Sequence, residues 1–179
     1  VVSVRAKILH AVPDSKLLLK NNGIDVEPNR SRILSMFSEA GIPPWRLILE
    51  GKSTREEHLA CYQRIDIALS PFPYNGGTTS AEALWMGVPV LTLRGDHFVS
   101  HVSESIVHNA GLSEWVAADE DEYIAKALAF SSALNALATL RKGLREKVLR
   151  QPLFDAERFA CHFGEAMFTM REILAKSER

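Results

Sequence analysis

Apolar residues along this chain recur with two different periods, and the alternation sets out the elements. Val4, Ile8, Leu9 and Val12 fall at helical spacing before Pro13-Asp14-Ser15 breaks the pattern, which predicts a helix over 1–12. Leu17-Leu18-Leu19 is a short unbroken apolar run, the mark of a buried strand ending at Lys20. Residues 21–29 read as loop. An amphipathic helix over 31–40 stops at Gly41, with Pro43-Pro44 beyond it. A second strand covers 46–49. Thr54 followed three residues on by Glu57 is a capping box that opens a helix to 64. A third strand over 65–69 is closed by Ser70-Pro71-Phe72-Pro73, and a polar, glycine-containing loop spans 74–77.

Beyond that loop the pattern gives a helix over 78–86 ended by Gly87, a fourth strand over 88–93, and a helix over 97–109 that stops at Gly111. A short strand near 115–117 precedes helices over 119–130, 134–150 and 156–176. Short strands that are apolar on both faces, alternating with helices, predict an α/β fold in which a parallel sheet is covered on both sides. With neither a repeat nor a linker in evidence, residues 1–179 are expected to form one domain with a helical C-terminal segment. In its last helix Phe159, Phe163, Met167, Met170 and Ile173/Leu174 form one apolar stripe, flanked by Ala160, Ala166 and Phe168. That face is wider than docking on one sheet layer needs, which leaves two expectations open: the helix packs fully on this domain, or it stands partly away from the body or against another copy.

Right-handed crossovers put every strand's C-terminal end on one edge, where ligands of such sheets bind. Lys20 follows the first strand, Gly51-Lys52-Ser53 the second and residues 71–79 the third. Asn75-Gly76-Gly77-Thr78-Thr79 joins a strand end to a helix start, so the first helical N–H groups face the cleft unpaired. Those donors and the positive end of the helix dipole suit a phosphate. The two glycines admit close backbone approach, and Thr78 and Thr79 add hydroxyls. One turn further, Glu82 can accept both hydroxyls of a ribose. A glycine pair before a helix is weak evidence when taken alone, since it can simply turn the chain and cap the helix.

The longer run from Asp66 to Leu93, with Phe72-Pro73-Tyr74-Asn75-Gly76-Gly77-Thr78-Thr79 at its centre, resembles the core of the O-linked N-acetylglucosamine transferase family. That family includes SPINDLY-type O-fucosyltransferases and bacterial relatives fused to tetratricopeptide repeats. Arg55-Glu56-Glu57-His58, His101-Val102-Ser103-Glu104-Ser105 and Pro152-Leu153-Phe154 are similar to it as well, so the resemblance runs from about residue 8 to the C-terminus. It implies the GT-B architecture, two Rossmann-like halves facing across a cleft, of which this chain resembles the C-terminal, donor-binding half. It further implies that Lys52-Ser53-Thr54-Arg55 meets the base, that His58 packs near it, that Gly76, Gly77, Thr78 and Thr79 hold the diphosphate, that Glu82 holds the ribose, and that Lys20 helps neutralise phosphate. Animal members carry His at the position of Gly77 and Asp at that of Glu82. SPINDLY-like and bacterial members favour Glu there, so two donors stay open, UDP-N-acetylglucosamine as the first expectation and GDP-fucose as the second, with a protein Ser/Thr as acceptor. A donor-contacting lysine of the family would fall before Val1, as would the repeats and the other half, which holds the catalytic histidine. No catalytic residue is expected among 1–179, which read as a piece of something longer and as inactive alone.

Composition changes the picture only by exclusion. A formal charge of −1 gives no overall basic field for nucleic acid or an anionic membrane, so any anionic ligand must be held by local groups. No stretch approaches the roughly twenty apolar residues of a membrane span. The two cysteines, Cys61 and Cys161, are too few for a disulfide framework and read as free thiols in a reducing, cytoplasmic setting. His97, His101, Glu104 and His108 could be written as a metal face, but no second cluster completes a ligand set, and neither metal nor cofactor is expected. Trp85, Met86, Trp115 and Phe130 read as packing residues, and the charges from Arg141 to Arg150 as a solvated helix face. Two rival classes stay open: another GT-B enzyme, such as a small-molecule glycosyltransferase or a nucleotide-sugar epimerase, and a non-catalytic module that binds a nucleotide sugar.

Overall fold

The computed structural model describes residues 1–177. Helix α1 (Val2–Ala11) leads into β1 (Leu17–Lys20), α2 (Asn29–Glu39), β2 (Leu47–Glu50), α3 (Arg55–Cys61) and β3 (Ala68–Leu69). Then come α4 (Thr78–Trp85), β4 (Val90–Leu93), α5 (Val102–Asn109), β5 (Val116–Ala117), α6 (Glu120–Ser132), α7 (Leu134–Leu149) and α8 (Ala156–Ser177). The strands are parallel throughout, as the alternating pattern requires.

The expected single sheet is divided into two ladders. β1 pairs with β2, and β3-β4-β5 form a second, three-stranded ladder. At the β3 edge of the second ladder, the Leu69 carbonyl accepts from Arg5 of α1 at 3.2 Å. Helix α1 spans the division with two faces: Val4 and Ile8 join the larger apolar core around β4, and Ala6 and Leu9 join the smaller one with Leu17, Phe37, Ile42 and Leu47. β4 is buried at every position, with α5 and α6 packed against it and α7 beyond α4.

Several bounds differ from those the periodicity predicts, each for a local reason. The second strand begins one residue late because Pro44–Arg46 forms a 3-10 turn. Arg46 is buried there rather than paired in a strand, and its Nη2 donates to the Leu9 and Val12 carbonyls at 3.0 and 2.8 Å. A cation thereby satisfies the open carbonyls at the end of α1. The helix from Thr54 ends at Cys61, where a 3-10 turn over Tyr62–Arg64 takes over, and the third strand pairs only over Ala68–Leu69. The fourth strand starts at Val90 because Pro89 has no N–H to give the ladder, although its carbonyl accepts from Ala68 at 2.9 Å. The helix expected over 97–109 begins at Val102, after a 3-10 turn over Phe98–Ser100.

Packing residues behave as their apolarity requires. Trp115 stacks on Phe130 at 3.9 Å, and Trp85 meets Phe154 edge-on and carries the Arg145 guanidinium over its ring. Helix α8 does stand away from the body. Its stripe is exposed along its length, and the apolar contacts just before it, at Leu153 and Phe154, are the last that join the large core. Among the described residues no single helix is long and apolar enough to cross a membrane.

Candidate functional site

The loop after β3 is held in place by a buried hydroxyl network. Ser70 Oγ accepts the Gly76 N–H at 3.1 Å and lies 2.9 Å from Ser103 Oγ of α5. Ser103 and Ser80 both donate to the Gly76 carbonyl, at 2.5 and 3.1 Å, and lie 2.9 Å apart. Both backbone polar groups of Gly76 are thus paired, which fixes where the next residue starts the helix. A Cβ on Gly76 would come within 2.7 Å of Ser80 Oγ and 3.0 Å of Thr79 Oγ1, so a side chain here would have to displace the Ser80 hydroxyl from its network. Gly77 differs: a Cβ there would meet only Val102, at an ordinary 3.6 Å.

Asn75 is buried beneath the same loop. Its Nδ2 donates to Thr92 Oγ1 at 2.9 Å and to the Leu93 carbonyl at 3.3 Å, tying the loop to the end of β4. Its Oδ1 has no partner among the described residues. The first bonds of α4 run from the Ser80 and Ala81 N–H groups to the Gly77 carbonyl, at 2.9 and 3.2 Å. The Thr78 and Thr79 N–H groups precede them, and both residues are exposed. These amides point out of the helix end, where its dipole is positive.

One turn into α4, Glu82 is buried, and α3 supplies its partners. Arg55 Nη1 donates to Glu82 Oε1, and His58 Nε2 lies 3.2 Å from Oε2. The capping box places both donors. Thr54 Oγ1 accepts the Glu57 N–H and the Glu57 carboxylate accepts the Thr54 N–H, so α3 starts at Arg55, with His58 one turn later. The Thr54 hydrogen bonds hold the Glu57 carboxyl below the usual range. Tyr62 completes the contact between the helices. Its hydroxyl donates to the Thr79 carbonyl at 3.1 Å and its ring meets His58 edge-on at 5.7 Å. Burial, reinforced by the charge of Glu82, pushes the Tyr62 phenol up to about 12, so it stays a donor at neutral pH.

The sequence-predicted residues therefore fall into two groups. Arg55, His58 and Glu82 converge, and Tyr62 links His58 to Thr79, which follows Gly76, Gly77 and Thr78 at the start of α4. Lys20 and Ser53 make their contacts elsewhere. Lys20 Nζ lies 3.4 Å from Glu50 Oε2 and donates to the Gly51 carbonyl at 3.2 Å, so its charge is matched at the end of β2. Arg64 shares that carboxylate at 2.5 Å, and this bond above all holds the Glu50 carboxyl below its usual range. Ser53 Oγ donates to the neighbouring Thr54 carbonyl.

Sequence reasoning passed over Ser70, Ser80, Ser103 and the structural role of Asn75. The available signal was small polar residues at positions that the helical period of α4 and α5 turns inward. Of the proposed metal face, His101 Nδ1 and His108 Nε2 both turn to Glu104, at 2.6 and 3.6 Å, and Arg94 closes on the same carboxylate at 2.5 Å. Burial alone would raise the Glu104 carboxyl, but the bonds and charges of Arg94 and His101 outweigh it and hold it below the usual range. Arg94 also lines a cavity of about 290 Å³ beside the loop, with Phe72, Pro73, Leu93 and His97 among its walls. Among the described residues no group of three His, Cys, Asp or Glu side chains converges as a metal ion would need.

With that geometry established, similarity to known proteins is informative. The profile of glycosyl transferase family 41 matches residues 1–163. A tomato protein (Solanum lycopersicum) named probable UDP-N-acetylglucosamine–peptide N-acetylglucosaminyltransferase SPINDLY is 38% identical over 160 residues, which is 89% of this chain and 17% of that protein. A Caenorhabditis elegans protein named UDP-N-acetylglucosamine–peptide N-acetylglucosaminyltransferase is 30% identical over 87% of this chain and 13% of its own length. Among solved structures, a mutant O-GlcNAc transferase from Thermobaculum terrenum superimposes with a TM-score of 0.94 at 35% identity, covering 99% of this chain and 34% of that one. The chain thus spans less than a fifth of the tomato relative.

Proposed function

The chain belongs to glycosyl transferase family 41, and from that premise we propose that residues 1–179 are the donor-holding domain of an inverting protein glycosyltransferase. The donor is UDP-N-acetylglucosamine and the acceptor a protein Ser or Thr. One observation carries the reading: amides at the exposed start of α4, ahead of the first hydrogen bonds of that helix and without a partner among the described residues, stand one turn from a buried carboxylate on the same helix. A nucleoside diphosphate needs that pair, amides for the phosphate oxygens and a carboxylate for the ribose hydroxyls.

In the transfer, the acceptor hydroxyl oxygen bonds to the anomeric carbon as the bond from that carbon to the diphosphate oxygen breaks. Configuration inverts, and the hydroxyl proton goes to a base outside these residues. Negative charge grows on the departing diphosphate, and the amides of Gly77, Thr78 and Thr79 are placed to stabilise it without reorganising. Loss of one such donor typically adds about 3 kcal/mol to a barrier. Two free cysteines, one of them buried, accord with a reducing compartment, and we place the protein in the cytoplasm.

Calorimetric titration with UDP, GDP and their sugar conjugates tests the reading. Wild type should prefer the uridine nucleotides, and Glu82→Ala should weaken UDP binding by roughly 1.5–3 kcal/mol. Equal affinity of wild type and mutant would make Glu82 a structural residue only. A preference for GDP would assign the site to GDP-fucose instead.

A further inference from the structure

We propose that Arg55 competes with the donor's ribose for the Glu82 carboxylate, and so sets how strongly the site discriminates ribose from deoxyribose. This rests on the reading of Glu82 given above.

The Glu82 side chain is only 10% exposed, so few directions of approach to its two oxygens are open. Oε1 takes the Arg55 guanidinium and Oε2 faces the His58 ring. The two partners differ in how firmly they are held. His58 lies against Tyr62, which is itself anchored on the Thr79 carbonyl, and the ring is fixed between the two helices. Arg55 is 68% exposed, and among the described residues Glu82 is its sole ion-pair partner. It is also the first residue of α3, where the positive end of the helix dipole disfavours a cation. Nothing in its own helix therefore holds Arg55 over Glu82; the carboxylate alone does.

A ribose diol brings two hydroxyl donors to the same carboxylate. Of the donors already there, the exposed and singly tethered one yields, because an ion pair with one partner in water is weak. His58 stays and keeps Glu82 oriented. Arg55 thus subtracts from the affinity that the hydroxyls can gain. Its removal frees Oε1 from its ion pair, so both hydroxyls of a ribose can reach the carboxylate where a 2′-deoxyribose offers only one.

Titration of wild type, Arg55→Ala, Glu82→Ala and the double variant with UDP and 2′-deoxy-UDP tests this. Arg55→Ala should bind UDP about two- to fivefold more tightly than wild type, with a larger ratio of UDP to 2′-deoxy-UDP affinity. The double variant should match Glu82→Ala. The ratio matters because the loss of a positive charge near the diphosphate changes both ligands alike. If Glu82→Ala weakens UDP and Arg55→Ala weakens it too, Arg55 holds the nucleotide and the competition is overturned while the site stands. If Glu82→Ala leaves UDP affinity unchanged, the reading of the site and the competition fall together.

Discussion

Helix α4 buries Ala83 and Leu84 to 1% and 0% exposure, whereas α8 leaves Phe159, Phe163, Met167, Phe168, Met170, Ile173 and Leu174 between 52% and 68% exposed. Both carry apolar residues at helical spacing. In α4 the apolar side packs into the core that includes β4, and the polar start is tied down through Ser70, Ser80 and Ser103. Helix α8 begins after Asp155, whose carboxylate caps the Arg158 N–H at 2.9 Å, and continues for 22 residues supported mainly by its own hydrogen bonds and neighbours such as the stacked Phe159–Phe163 pair. An amphipathic stripe records that a face is suited to burial, and tertiary packing decides whether the same domain buries it. The contrast also bears on function. The candidate site, whose proposed amides and carboxylate must keep a fixed relation, sits on the packed helix of the two.

The comparison can be broken most directly at Leu84. Leu84→Ala removes a fully buried side chain and should cost about 2–5 kcal/mol in urea unfolding. A loss below about 1 kcal/mol would mean that α4 is not the well-packed helix described here.

A smaller effect concerns the charge that ties α5 to the end of β4. The Glu104 carboxyl is held below its usual range in the folded chain, below the value of about 4.3 it has when unfolded. Its contribution to stability is then full above the unfolded value and is lost as pH falls through the folded one. Glu104→Gln should flatten the acid limb of the stability–pH curve, as read by thermal melts from pH 7 downward. An acid limb identical to wild type would remove Glu104 from the account of that edge.

The smallest effect is expected in α8. Phe163→Ser should shift unfolding by no more than about 0.5 kcal/mol, since the ring is already exposed. Amide hydrogen exchange should be faster over residues 156–176 than in β4. Protection equal to that of β4, in a chain shown to be monomeric by light scattering, would erase the contrast.

Much of the site was legible along the chain because it is made of local features. A capping box, a glycine pair at a strand-to-helix turn and a carboxylate one turn into the helix all lie within a few residues of one another, where backbone dihedrals and short-range hydrogen bonds decide the structure. The hydroxyl network was not legible. Serines 33 and 23 residues apart become partners only when α5 packs on the loop after β3. Lys20 is on the expected edge, but its nearest carboxylate, Glu50, lies 30 residues away in the chain, and strand pairing brings it there.

The order of elements, the parallel sense of the strands, the start of α3 and the edge at which the loop after β3 emerges were determined by the sequence itself, since period, caps and glycines act over one or two turns. Tertiary structure alone divided the sheet into two ladders, turned Arg46 into the cap of a helix that ends 35 residues earlier, and decided between the two placements that the stripe of α8 left open, leaving it exposed. It also brought Arg55 and His58 onto Glu82 from 27 and 24 residues away. The physical reason is common to all four. Each depends on which surfaces meet once the chain is compact, and a buried charge or open carbonyl takes whatever partner that meeting supplies.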